Sequence, residues 1–151
     1  MKKVILILII GFAIFACNDD NSLGNNQENV DYEILQRGYL SGNRITSNPQ
    51  SDAITNQNDW NQLVNLLASE PYDLSLINID FNSHYILYIM DEPRSAGGYS
   101  IDIDNIYENS STIDVYINSS SSDSLEIDMP TQPFCLAKIP KTNKTINFIV
   151  N

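Results

Sequence analysis

His84 is the only histidine in this chain of 151 residues, and Cys17 and Cys135 are its only cysteines. A serine nucleophile activated by histidine would have to use His84, which abuts the apolar run Tyr85–Met90. No G-x-S-x-G turn occurs to expose a serine. One histidine and one leftover cysteine cannot supply a zinc site. Carboxylates are more plentiful. Asp102, Asp104 and Asp114 could share the solvent face of one hairpin, where directly opposed like charges would favour a calcium ion between them, but the spacing is not that of an EF-hand. Tyr39, Tyr88, Tyr99, Tyr107 and Tyr116 could offer stacking faces to a sugar or small ligand, or could be core residues. The expectation is a chain that is not an enzyme and carries no metal or cofactor.

Cys17 belongs to different chemistry. Lys2 and Lys3 precede an unbroken apolar run from Val4 to Ala16, a basic start and a stretch too short to span a bilayer, which is the layout of an export signal. Ile14, Phe15, Ala16 and Cys17 resemble a bacterial lipobox, in which the cysteine thiol takes a diacylglycerol and becomes the new N-terminus. Residues 1–16 are then a signal peptide, and Cys17 is the anchor. Asn18 to Val30 is polar and nearly devoid of packing residues, so residues 17–30 form a flexible acidic tether and 31–151 the folded domain. Asp19 and Asp20 are similar to an acidic signal that places lipoproteins on the outer face in certain Gram-negative bacteria; equally, they are a solvated linker. The expected location is the bacterial envelope, as an outer-membrane lipoprotein, with surface exposure as one outcome.

The whole chain has 8 basic and 19 acidic residues and a net charge of −11. Without Lys2 and Lys3 only Arg37, Arg44, Arg94, Lys138, Lys141 and Lys144 remain, and they are scattered. Nucleic acid, which needs clustered cations, is excluded as a partner. The same charge repels anionic headgroups, so membrane contact runs through the lipid alone. With Cys17 consumed, Cys135 has no disulfide partner and reads as a small hydrophobe in Phe134-Cys135-Leu136-Ala137.

One helix is expected. Trp60, Leu63, Val64 and Leu67 fall on one stripe, Asn56 or Asn58 can cap its start, and Pro71 ends it after Glu70. Strands are expected over Asp31–Ser41 and Ile45–Ile54, as an opening hairpin through Ser41-Gly42-Asn43. Tyr85–Met90 is apolar at every position, which predicts a central strand covered on both faces. Ile101 and Ile103 are odd but Ile106 is even, so pairing Ile103 with Val115 and Ile106 with Ile113 requires a bulge near Asp104-Asn105. Ser119 to Ser124 reads as a serine-rich loop. Phe134–Ile139 and Thr145–Val150 complete the sheet. The expected class is α+β: a mostly antiparallel sheet of six to seven strands, curled as a small sandwich or partial barrel, with one packed helix.

Arg94-Ser95-Ala96-Gly97-Gly98-Tyr99-Ser100-Ile101-Asp102-Ile103 and Gln132-Pro133-Phe134-Cys135-Leu136-Ala137-Lys138-Ile139-Pro140-Lys141 resemble the PrcB C-terminal domain, over roughly Tyr85 to Val150. In that family a GGYS-led strand precedes a Pro-aromatic strand ending in Ile-Pro-Lys; Ala96 replaces an expected threonine. The resemblance implies a lipoprotein subunit needed to assemble a surface protease complex. Gly97-Gly98 read as a turn with positive φ, Pro133 as a strand start and Pro140 as a strand end. The loop before the glycines is the expected partner contact, through Asp91, Glu92, Arg94, Ser95 and Tyr99, with Arg94 as its anchor or internally paired with Asp91 or Glu92. The expected role is a tethered, non-catalytic protein-binding subunit with an envelope protein partner, in the family a protease; the alternative is a small-ligand or glycan-binding surface lipoprotein.

Overall fold

The computed structural model describes residues 27–46, 48–67, 72–121 and 128–151. The signal peptide, Cys17, Asp19, Asp20 and Pro71 lie outside the described residues. Among the described residues eight strands run in chain order: β1 (Glu28–Asn29), β2 (Glu33–Ser41), β3 (Gln50–Ile54), β4 (His84–Met90), β5 (Tyr99–Glu108), β6 (Thr112–Ser121), β7 (Thr131–Pro140) and β8 (Thr145–Val150). The helix α1 (Gln57–Leu67) stands between β3 and β4. The strands form two four-stranded sheets, ordered β1-β5-β6-β8 and β2-β7-β4-β3, which pack as a sandwich.

The β2-β7-β4-β3 sheet is the middle of three layers. In β4, Ile86, Tyr88 and Met90 face α1, while Leu87 and Ile89 face the second sheet. In β7, Phe134 and Leu136 join the helix side, and Cys135, Ala137 and Ile139 the sheet side. Both strands are inner strands of a twice-covered sheet, which is why β4 is apolar throughout. The second sheet closes its core with Ile101, Ile103, Ile106, Ile113, Val115 and Ile117 from β5 and β6. Opposite, Trp60, Leu63 and Leu67 are buried from α1, so the single tryptophan anchors the helix on the sheet. Asn56 is the cap: its Oδ1 accepts the Asp59 amide hydrogen at 3.0 Å, and its Nδ2 donates to Asp59 Oδ2 at 2.7 Å.

Several pairings differ from the sequence reading. β2 and β3 do not form a hairpin; β2 pairs with β7 and β3 with β4, at opposite edges of one sheet. Gly42–Arg44 is a 3-10 turn at the end of β2, and turn residues alone do not say whether the chain folds back or crosses over. β7 and β8 belong to different sheets, and β8 runs parallel to β6, the one parallel pair among the described residues. The bulge is present between Ile103 and Asn105, but the register is offset by two: Ile103 pairs with Ile117 and Ile106 with Val115. A two-residue shift returns every side chain to the same face, so alternation cannot detect it. Glu28 and Asn29, read as tether, pair with β5, and Val30 donates to Ile106 at 2.9 Å. Ser119, Ser120 and Ser121 continue β6 opposite Ile101, Ser100 and Tyr99 instead of forming a loop.

Candidate functional site

The segment between Met90 and Tyr99 carries the chain from the middle sheet into the second one, and buried side chains hold its shape. Asp91 is nearly buried, at 8% exposure. Its Oδ1 accepts the Glu92 amide hydrogen at 2.8 Å, and its Oδ2 accepts from Arg94 Nε at 3.1 Å and Nη2 at 2.8 Å. Arg94 Nη1 reaches Glu92 Oε1 at 2.9 Å, and its guanidinium lies 5.1 Å from the Tyr99 ring centre. The hydrogen bonds it donates to Asp91 raise the Arg94 pKa above its ordinary value. Arg94 is thus paired inside the loop with both acidic neighbours, and its charged fork shapes the loop from within. Four of the five expected contact residues, Asp91, Glu92, Arg94 and Tyr99, form this one connected group; Ser95 is exposed beside it.

The loop is also sewn to the start of β7. Arg94 and Thr131 exchange backbone hydrogen bonds at 2.7 and 3.0 Å, and Thr131 Oγ1 donates to Ala96 O at 2.9 Å. Gln132 has 0% exposure; its Nε2 donates to Asp91 O at 2.9 Å and Asn48 O at 3.3 Å, while its Oε1 accepts from the Thr46 amide at 2.7 Å. One buried amide therefore joins three chain segments, and every buried polar side-chain atom among the described residues has a partner. Sequence reasoning passed over Gln132, although a glutamine heading an otherwise apolar strand was a signal. Pro133 lies inside β7, not at its start. Its carbonyl accepts from the Asp91 amide at 2.9 Å, so its missing N–H faces the loop just past the end of β4, where no ladder donor is lost. Pro140 ends β7 as expected. Only Gly98 of the glycine pair has positive φ, at 87°; Gly97 is buried.

The remaining candidates are dispersed. His84 Nδ1 is 2.8 Å from Ser83 Oγ, which donates to Asp80 Oδ2 at 2.8 Å. The serine stands between acid and histidine, the reverse of a relay in which histidine is oriented by the acid, and the group is a local turn. Ser83 and Asn82 hold the Asp80 carboxyl below the usual range. Asp102 is forked by Arg37 at 2.7 and 2.9 Å, and Asp114 accepts from Asn109 and Asn147. Asp102 pairs with Asn118 and Asp114 with Tyr107, so these carboxylates do not face each other across the hairpin. Among the described residues no group of three or more potential ligands could hold a metal ion. Cys135 is fully buried, and burial, with Asp102 nearby, pushes its thiol up to about 12. Tyr88 is buried and likewise pushed up to about 12; Tyr99 lies beside Arg94; Tyr107 and Tyr116 meet edge to face at 5.7 Å. Tyr39 is 38% exposed.

No curated protein and no solved structure matches the chain. Residues 85–140, which run from β4 through the Asp91–Gly98 loop to the end of β7, match the family described as PrcB C-terminal.

Proposed function

We propose that this chain is a membrane-tethered, non-catalytic subunit that binds a protein partner in the bacterial envelope and supports a protease complex there. The observation that carries the reading is the PrcB C-terminal match over residues 85–140, which brackets the buttressed loop between β4 and β5. A loop held by a buried acid, a buried amide and a paired arginine is pre-organised, and rigid loops bind with little ordering cost. Glu92, at 60% side-chain exposure, and Ser95 are the outward members; Asp91, Arg94 and Tyr99 position them. The lipid on Cys17 supplies the tether. Capture of the full-length lipidated chain from its native envelope after mild crosslinking tests the reading. The expected outcome is a protease partner retained by the parent chain and lost from Ser95→Arg, a bulky change at an exposed position that leaves the melting temperature unaltered. Arg94→Ala should lose the partner too, but with a lower melting temperature, because it strands the buried Asp91. Recovery of the chain alone overturns the proposal.

A further inference from the structure

One edge strand of the middle sheet, β3, lies beside a groove. Among the described residues β3 pairs with β4 on one side only, and residues of α1 face the β3 segment. Between them is a cleft of about 750 Å³ lined by residues 49–54 of the β3 segment, by Asp59, Gln62, Leu63 and Leu66 of α1, and by Tyr88. Asp59, Gln62 and Leu66 recur at i, i+3 and i+7, so a single helix face looks onto the strand.

The outward backbone groups of β3 can be assigned. The Ala53 N–H is accepted by Asp52 Oδ1 at 2.7 Å and so takes no part in the ladder to β4. Direction alternates along a strand, so Ser51 and Ala53 both present N–H and C=O away from β4. Ile54 belongs to the helix-side core, which places Asp52, two residues away, on the same face as the groove. Asp52 and Asp59 thus flank one cleft, and among the described residues neither has a basic partner. At a net charge of −11 the whole chain adds to that negative field.

We propose that this groove binds an extended, basic peptide segment of a partner protein by strand addition to β3. The incoming strand takes up the backbone groups of Ser51 and Ala53, displacing the Asp52 carboxylate, which covers the edge in the free protein. Side chains two apart on the added strand share the groove face. One is basic and lies between Asp52 and Asp59; its neighbour two positions on is apolar and covers Leu63 and Leu66. The recognised pattern is an apolar residue and a lysine or arginine separated by one residue. This site is separate from the Asp91–Gly98 loop and does not rest on the role assigned to that loop.

The test is selection from a displayed library of random nine-residue peptides against the full-length chain, in low salt. Enrichment of the apolar-x-basic pattern is expected. A peptide so selected should slow amide exchange at Ser51 and Ala53, and its affinity should fall at least tenfold with Ala53→Pro. That substitution removes an outward N–H and leaves the β4 ladder intact; an unchanged melting temperature verifies the fold. Asp52→Lys with Asp59→Lys should weaken binding to a similar degree without altering the backbone. No enrichment, enrichment of acidic or pattern-free sequences, or binding indifferent to both variants overturns the proposal. Envelope capture remains an independent readout, so failure here leaves the protease-complex reading standing, and failure of capture leaves the groove standing.

Discussion

Gly38 lacks a side chain because two rings occupy the volume where one would go. A Cβ built there would lie 2.6 Å from Tyr72 and 2.8 Å from Phe134, whose rings meet edge to face with centroids 5.5 Å apart. Gly38 is paired with Phe134 across the β2–β7 ladder, so its bare backbone lets Tyr72 lie over the strand and close that end of the helix-side core. Gly38→Ala should therefore destabilise by about 1–3 kcal/mol, the usual cost of overpacking a filled core, read as a lower urea midpoint. A change below 0.5 kcal/mol would mean that Tyr72 swings aside freely. Arg94 and Gln132 show the complementary case, in which long polar side chains order backbone: each satisfies neighbouring segments, and each would leave a buried group unpaired if truncated.

In β5 the bulge reconciles an odd-even slip with a continuous core face. Asp104 is the extra residue between the Ile103–Ile117 and Asn105–Tyr116 pairs. Deleting Asp104 should leave Ile101, Ile103 and Ile106 facing inward along a regular strand, so the variant should fold with a melting temperature close to the parent's. Deleting Asp114 from the opposite strand should turn one side of β6 outward and abolish cooperative unfolding in thermal scans. That contrast shows how far the sequence specifies this fold. Alternation and apolar runs identified the helix, the central strand, the bulge and the inward isoleucines, because all are local consequences of burial on one or two faces. Apart from the β5–β6 pair, which strands neighbour one another was hidden: the β2–β7 and β6–β8 pairs join segments far apart in sequence, and nothing near Gly42 or Lys141 distinguishes a hairpin from a crossing. The loop's position was readable from Gly97-Gly98, whereas its buttressing by Gln132 was not, since that partner lies 41 residues from Asp91.

Because the middle sheet is covered on both sides, it carries an alkali-sensitive group in each core. Cys135 faces the second sheet and Tyr88 faces α1. Burial raises the Cys135 thiol from 9.0 to about 12 and the Tyr88 hydroxyl from 10.0 to about 12. Both groups are neutral when protonated. Above pH 9 the unfolded chain sheds the thiol proton while the native state keeps it, so the native state binds more protons and stability falls as pH rises. Below the unfolded value the contribution is complete; it declines up to the folded value of about 12. The slope is about 1.4 kcal/mol per pH unit for each titrating group. Tyr88 joins above pH 10, together with Tyr32 and Tyr72, whose hydroxyls burial also raises. Between pH 9 and 10 the loss therefore comes mainly from Cys135, and urea midpoints over pH 8–11 isolate it. The parent chain should begin to weaken near pH 9, whereas Cys135→Ala, less stable at neutral pH by a small cavity, should stay level until about pH 10. If both chains decline with equal slope from pH 9, the thiol is not held neutral by the sandwich core and the loss comes from another group.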